Sequence, residues 1–392
     1  MSMFTLKEAI HFQKFQIYTS FMNILRVGII GCGVIAPTHI WAIEENEGIE
    51  LTALCDINRS RMEKIHQSKN CIHFEDWKEM LQSPGVDIVA ICLPHYLHEQ
   101  AIIDALQAGK HVISEKPLAV NLNQIQNIKK IAAEAELEGI HSFGIFQHRY
   151  SPLICEIQSV LKEKSLGTLI DAKVNFICTR KQSYYNSDLW RGLWETEGGG
   201  TLINQGIHTL DILYQLLGLP HEVEYSLTRE KLKEIEVEDK GVGSLSYDTS
   251  IVSSGKVSLH FENDLKTGWM PEIILIGTKG TLEVQDSEHF SCNIKGICRR
   301  LEKFLIYDED KAPGKECYGS LHSRNYKDII NSLSEKQKGN RHQPKVSLFD
   351  LASTTETVLA LYQSHFQRKR INLPLISWKK PQKLAYTGAI NE

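Results

Sequence analysis

A chain of 392 residues with 42% hydrophobic and 23% charged side chains is globular in composition and too long for one ordinary core, so two domains are expected. Its 44 basic and 48 acidic residues leave a formal net charge of −4, with no long basic run, which excludes the electrostatic footprint of a nucleic-acid binder. No stretch approaches the roughly 20 apolar residues of a membrane span. The nine cysteines stand singly, and Cys55, Cys92 and Cys178 lie in apolar runs, which suits reduced thiols in a cytoplasm better than a disulfide framework or a metal site.

Residues 1–23 mix charges and amides and lack the apolar region and small-residue cleavage site of a secretory signal. They read as an N-terminal extension. From Ile24 a regular rhythm begins: the apolar run ILRVGIIG, a helical stretch from about Pro37 to Asn46, then a second apolar run, IELTALCD. VDIVAICLP and HVIS continue it as short Val/Ile-rich strands, with EQAIIDALQAG as an amphipathic helix ended by Gly109. Short strands alternating with helices predict a parallel sheet covered on both faces over residues 24–148.

Beyond about residue 148 the character changes. GTLIDAKVNFICTR, VSLHFEN and EIILIGTKGTLEV are longer strand-like stretches, joined by a strong helix from about Thr201 to Leu217 and a closing helix in VSLFDLASTTETVLALYQSHFQ. Residues 149–392 are therefore expected to form an α+β domain on a largely antiparallel sheet.

Two sets of residues carry chemistry. Gly31-Cys32-Gly33-Val34-Ile35-Ala36 is a GxGxxA pattern directly after the first strand and at a helix start, where glycines admit a tight turn and let backbone N–H groups approach a pyrophosphate. Asp56 ends the second strand about 25 residues after Gly31, where a carboxylate accepts from both ribose hydroxyls. That favours NAD; Arg59 nearby keeps a compensated NADP mode open, and a capping role for Asp56 competes.

The second set sits where open α/β sheets place ligands. Glu115-Lys116-Pro117 follows the strand HVIS, so the Lys116 ammonium is placed to polarise a ketone or stabilise an alkoxide; a plain surface Lys-Pro turn is the competing role. For proton exchange near neutral pH, Lys116 would need a pKa well below the reference of about 10.4. In GGGTLINQGIHTLD, Asn204 and His208 are four residues apart on one helix face, with Asp211 three further on. An imidazole is a natural proton acceptor when a hydroxyl is oxidised, although single histidines often serve as core residues. Tyr184, Tyr185, Trp190, Arg191 and Trp194 cluster just upstream and suit either a sugar-binding wall or a loop anchor.

With GCGVIA, LPHYLHEQAIIDALQAGKHVISEKPLA, GGGTLINQGIHTLD and HSRNYKDIINSL in this order, the sequence resembles the Gfo/Idh/MocA family of glucose-fructose oxidoreductase and inositol dehydrogenase relatives. The resemblance implies a Rossmann domain followed by a domain whose large open sheet mediates homo-oligomers. It implies Lys116 and His208 as catalytic residues and His98, in the pattern Pro-x-x-x-His that starts at Pro94, near the nicotinamide. Where inositol dehydrogenase-like members carry Asp four residues before the histidine, this chain has Asn204, and an amide cannot take up a proton.

The resulting expectation is an NAD(P)-dependent oxidoreductase acting on a sugar, nucleotide sugar or cyclitol. Gly31, Gly33, Val34, Ile35, Asp56, Arg59, Pro94, His98, Glu115 and Lys116 are assigned to the cofactor. Lys116, Trp190, Arg191, Asn204 and His208 are assigned to substrate. Two other classes compete: a catalytically silent cofactor-binding regulator of the same fold, and a glycoside-cleaving enzyme that uses bound NAD without net redox change.

Overall fold

The computed structural model describes residues 24–65, 71–285, 290–304, 320–337, 339–340 and 342–388; the extension expected over residues 1–23 lies outside them. In the first part, strands β1 (Leu25–Ile30), β2 (Ile49–Cys55), β3 (Ile72–Phe74), β4 (Ile88–Ile91), β5 (His111–Ser114) and β6 (Ser142–Gly144) form one sheet. Every pairing is parallel, in the order β3-β2-β1-β4-β5-β6. Because successive side chains of a strand face opposite sides, Val27 and Ile29 enter one core with Ile40 and Ile43 of the helix Ala36–Glu44, while Ile30 enters the other with Val89 and Ile91. The strand order reverses between β1 and β4, and that reversal opens a crevice beyond their carboxyl ends.

The second sheet holds β7 (Leu169–Cys178), β8 (Glu222–Thr228), β9 (Lys240–Ser246), β10 (Lys256–Asn263), β11 (Met270–Gly277), β12 (Gly280–Val284), β13 (Phe290–Cys292) and β14 (Ile371–Asn372). Its order is β13-β12-β11-β7-β10-β9-β8-β14, antiparallel except for β7 beside β10. Alternation decides which face is covered: Val223, Tyr225 and Leu227 of β8 are buried, whereas Glu224 and Ser226 are exposed. The buried face packs under the helices Ile207–Leu217 and Leu348–Gln367. The sequence stretch EIILIGTKGTLEV is a hairpin, β11 turning into β12 at Thr278-Lys279.

Two features cross the expected boundary near residue 148. The late helix Leu321–Gln337 returns to the first sheet, placing Tyr326, Ile329, Ile330 and Leu333 in one cluster with Val27 and Ile29. The Thr355 hydroxyl of the last long helix accepts from the Leu118 backbone N–H at 3.0 Å. Both halves of the crevice are thus held against one another by residues far apart in sequence.

The helix expected from Thr201 starts differently. Leu202–Gly206 is a π-helical turn that feeds the α-helix Ile207–Leu217. A π turn holds one residue more than an α turn, so the faces expected from 3.6-residue periodicity shift at this point. The widened turn lies tight against the sheet: a Cβ on Gly206 would meet the Phe261 ring at 2.5 Å.

Candidate active site

The crevice is a cleft of roughly 1190 Å³ lined by both domains. That exceeds the range of about 300–1,000 Å³ that holds one drug-sized ligand, so two partners fit side by side. Gly31, Gly33, Val34, Ile35, Asp56, Pro94, Glu115, Lys116, Trp190, Arg191, Asn204 and His208 all line it.

At the cofactor end the chain leaves β1 through Gly31, whose φ is +95° and whose position lies against the Cys92 carbonyl, where a Cβ would come within 2.5 Å. Glycine is required there on both counts. Gly33 differs, since an added Cβ would meet no protein atom within 4 Å: the backbone there faces open cleft at the start of the helix Ala36–Glu44, which has no side-chain N-cap bond. An uncapped helix start with open space above it suits an anion such as a pyrophosphate. The Asp56 carboxylate pins this turn by accepting from Cys32 N at 2.8 Å and from Asn58 N at 2.8 Å. A carboxylate offers about four lone-pair positions, so two are left for ribose hydroxyls, and the donor set fits a dinucleotide.

Two expected cofactor residues are placed elsewhere. Arg59 points along its helix to Glu63 at 3.2 Å with its side chain two-thirds exposed, and Arg61, two residues on and so turned about 200° around the helix, lines the cleft 4.0 Å from Asp56. His98 is buried beside the cleft. Its ring nitrogens lie 2.8 Å from the Pro117 carbonyl and 2.9 Å from the Leu93 carbonyl, so it sits between the turn after Lys116 and the segment after β4. Burial lowers its pKa. The histidine that does line the cleft is His95; its Nδ1–H donates to the Glu197 carbonyl at 2.7 Å, its ring leans on Trp190 at 4.8 Å between centroids, and burial holds its pKa well below the ordinary value.

Glu115 is fastened from three sides. Its Oε1 takes bonds from His39 at 3.1 Å and His322 at 3.5 Å, and its Oε2 takes the Lys116 N–H at 3.1 Å. Burial opposes ionisation, but the bonds from His322 and His39 outweigh it and hold this carboxyl well below the usual range. His39, Glu115 and His322 each present one ligand atom within 4.8 Å of the others, and His39 also bonds the Tyr326 hydroxyl at 2.8 Å. The imidazoles act as clamps that fix the carboxylate, and with it the backbone leading to Lys116.

Lys116 is where the halves meet. Its ammonium donates to the Asn204 carbonyl at 2.6 Å across 88 residues of sequence. Asn204 lies at the middle of the π turn, and His208, four residues on, lines the same cleft with its ring edge-on to Phe146 and His148. Asp211, the third member of the polar stripe, belongs to another network: it forms a buried two-pronged pair with Arg149 at 2.7 and 2.9 Å and serves the core.

The aromatic cluster divides as well. Tyr184, Trp190 and Arg191 line the cleft, with the Arg191 guanidinium 4.3 Å from the Tyr184 centroid and 4.4 Å from that of Trp190. Tyr185 and Trp194 are buried, Trp194 against Tyr362 and Phe366. Behind Asn204 lies Glu197, fully buried, taking the Asn204 amide at 2.5 Å and Gly192 N at 2.5 Å. Burial pushes its carboxyl up to about 7. Sequence reasoning missed Glu197, Arg61, His95, Gln147 and Arg180. Gln147 lines the cleft, is 1% exposed, and neither end of its amide has a partner among the described residues.

Comparison with known proteins decides the family. Residues 25–140 match a family described as an oxidoreductase family with an NAD-binding Rossmann fold, and residues 154–283 match the GFO/IDH/MocA C-terminal domain. The chain belongs to the GFO/IDH/MocA oxidoreductases. This GFO/IDH/MocA protein is an NAD-binding oxidoreductase, with the parallel and mostly antiparallel sheets of that family. It is similar to the WlbA dehydrogenase of Bordetella pertussis, solved with NADH and UDP-GlcNAcA: the TM-score is 0.77 at 26% identity, over 90% of this chain and 98% of that one. It is 29% identical to glucose-6-phosphate 3-dehydrogenase of Bacillus subtilis over 49% of this chain and 53% of that enzyme. With D-glucoside 3-dehydrogenase of Escherichia coli it shares 30% identity over 50% of this chain and 55% of that enzyme. The chain thus matches about half the length of these two curated relatives.

Proposed function

We propose that this protein transfers a hydride between nicotinamide and a carbon of a sugar, nucleotide sugar or cyclitol, with Lys116 and His208 as its catalytic residues. One observation carries the reading: the Lys116 ammonium reaches the segment that bears His208, and both side chains line one cleft. Gly31, Gly33 and the following helix start hold the pyrophosphate, and Asp56 holds the adenosine ribose. Bound NAD supplies the hydride acceptor or donor.

In this reading a substrate hydroxyl displaces the Asn204 carbonyl as partner of the Lys116 ammonium, which stabilises the oxygen as its charge develops. His208 takes the hydroxyl proton in oxidation and returns it in reduction. Asn204 donates hydrogen bonds but moves no proton. Trp190 and Tyr184 offer ring faces to the sugar C–H face, and Arg191 reaches its oxygens. The likeness to the WlbA dehydrogenase solved in complex with UDP-GlcNAcA supports a nucleotide sugar as one substrate class.

The test is NADH formation or consumption with a panel of sugars, nucleotide sugars and cyclitols, run on wild type, Lys116→Ala and His208→Ala. Each variant is expected to lose about 10²- to 10⁴-fold in kcat, with NADH affinity held within about threefold, on the order of 0.6 kcal/mol. Full activity in either variant overturns its assigned role.

We further propose that residues 24–148 form the NAD unit and residues 149–392 the substrate unit, in a cytoplasmic homo-oligomer. The eight described cysteines are free, which is in keeping with a reducing compartment. No helix among the described residues is long and apolar enough to cross a membrane. The solvent-facing side of the second sheet carries exposed Val242 and Met270, in keeping with assembly through that face. Light scattering on the full chain measures the oligomeric state, and a monomer would refute that part.

A further inference from the structure

We propose that Arg180 reads a negatively charged group on the substrate, so that the preferred substrate is an acidic sugar or a sugar phosphate rather than a neutral one. This rests on the hydride-transfer reading of the cleft and adds the charge class of what enters it.

The argument starts from charge balance along the lining. Arg61 lies near Asp56 at 4.0 Å and Asp188 at 3.9 Å, and Arg191 pairs with Asp188 at 3.4 Å. Arg180 also lines the cleft, yet it forms no ion pair with any described residue, and its Nε is buried without a hydrogen-bond partner among them. A guanidinium keeps its charge at every physiological pH, and a buried N–H left unmet is costly. Such a donor in a ligand cleft calls for a ligand acceptor.

The side chain is also held ready. Asn263, fully buried at the end of β10, clamps the Arg180 backbone from both sides, accepting its N–H at 2.7 Å and donating to its carbonyl at 2.8 Å. Aromatic rings support the guanidinium, Tyr184 at 4.9 Å and Trp269 at 5.7 Å from their centroids. Rings steady a cation without neutralising it. Arg191 stands over the same Tyr184 ring, so two cations share one aromatic platform. Asp188 pairs with Arg191, and the buried Glu197 carboxyl behind Asn204, raised to about 7 by burial, is engaged by the Asn204 amide and Gly192 N. A carboxylate or phosphate oxygen pair fits the fork geometry of a guanidinium and supplies the missing negative charge. Tyr184 in turn accepts from the Asn204 amide at 3.2 Å, which places this anion subsite beside the π turn and hence close to the Lys116 contact.

The experiment uses the full chain loaded with NAD or NADH and matched probes: glucose with glucuronate and glucose 6-phosphate, and UDP-glucose with UDP-glucuronate. Turnover and equilibrium binding are measured for wild type, Arg180→Ala and Arg180→Lys. Wild type is expected to favour an acidic probe over its neutral partner by about tenfold or more, the range of a charge-assisted bond. Arg180→Ala should remove that preference while changing glucose and NADH binding by less than about threefold, and Arg180→Lys should restore part of it. Loss on glucuronate and UDP-glucuronate locates the group on the ring carboxylate, loss on glucose 6-phosphate on a ring phosphate, and equal loss on both UDP-sugars on the diphosphate. Equal handling of glucose and every charged probe, UDP-glucose included, in wild type, or no loss on any charged probe in Arg180→Ala, overturns the proposal. Preferential acidic binding without turnover of any probe would instead overturn hydride transfer and leave this assignment standing.

Discussion

The two ends of the cleft are built in opposite ways. The cofactor end is made from neighbours in sequence: one turn from Gly31 to Ala36 and one carboxylate, Asp56, that bonds back to the same turn. The substrate end gathers Lys116, Tyr184, Arg191, Glu197 and Asn204 from separate segments. A backbone surface for a pyrophosphate can be written in six consecutive residues because N–H groups are the readers. A wall of side chains around a sugar needs distant segments, because each contributes one group from its own direction.

The sharpest break of this contrast is at the glycines. Gly31→Ala, with its Cβ within 2.5 Å of the Cys92 carbonyl and φ at +95°, should cost about 2–4 kcal/mol of stability and abolish NADH binding together. Gly33→Ala meets nothing within 4 Å, so its melting temperature should match wild type while NADH affinity falls about 10- to 100-fold, some 1.4–2.7 kcal/mol. Calorimetry on the pair separates the turn from the ligand surface. Equal thermal loss in both would mean that the open space at Gly33 is not ligand space.

A smaller effect is expected at the ribose. Asp56→Ala should cut the preference for NAD over NADP about tenfold, or 1.4 kcal/mol, by removing a carboxylate and freeing Arg61, 4.0 Å away. Arg59→Ala should leave both cofactors unchanged, since Arg59 pairs with Glu63 on the exposed side of its helix. Steady-state KM values for the two cofactors check this, and a changed cofactor preference in Arg59→Ala would reverse the assignment.

The substrate end is tested through pH. Burial raises the Glu197 carboxyl to about 7, and burial does the same to Glu238, which accepts from Gly200 N and Leu202 N. Between the ordinary carboxyl value near 4.5 and about 7 the folded chain therefore holds more protons than the unfolded chain, so stability falls as pH rises through that window. Glu197→Gln mimics the protonated form and should flatten the fall in melting temperature from pH 5 to pH 8, by on the order of 3 kcal/mol at the alkaline end. Its kcat should also lose pH dependence near 7. An unchanged melting profile would mean that Glu197 stays ionised beside Asn204.

The sequence by itself determined the two sheets, because alternation and helix periodicity report burial locally, and it determined the pyrophosphate turn, because that turn is a contiguous backbone device. It also singled out Lys116, Asn204 and His208 through motif order. Only the tertiary structure decided which of near-equivalent neighbours faces the cleft: His95 and not His98, Arg61 and not Arg59, Trp190 and not Trp194. Within such short spacings the direction of a side chain depends on what packs behind it, and the packing partners come from elsewhere. For Trp194 they are Tyr362 and Phe366, for His98 two carbonyls on different loops, and for Arg180 the amide of Asn263, so the choice is made by long-range contacts that leave no local pattern.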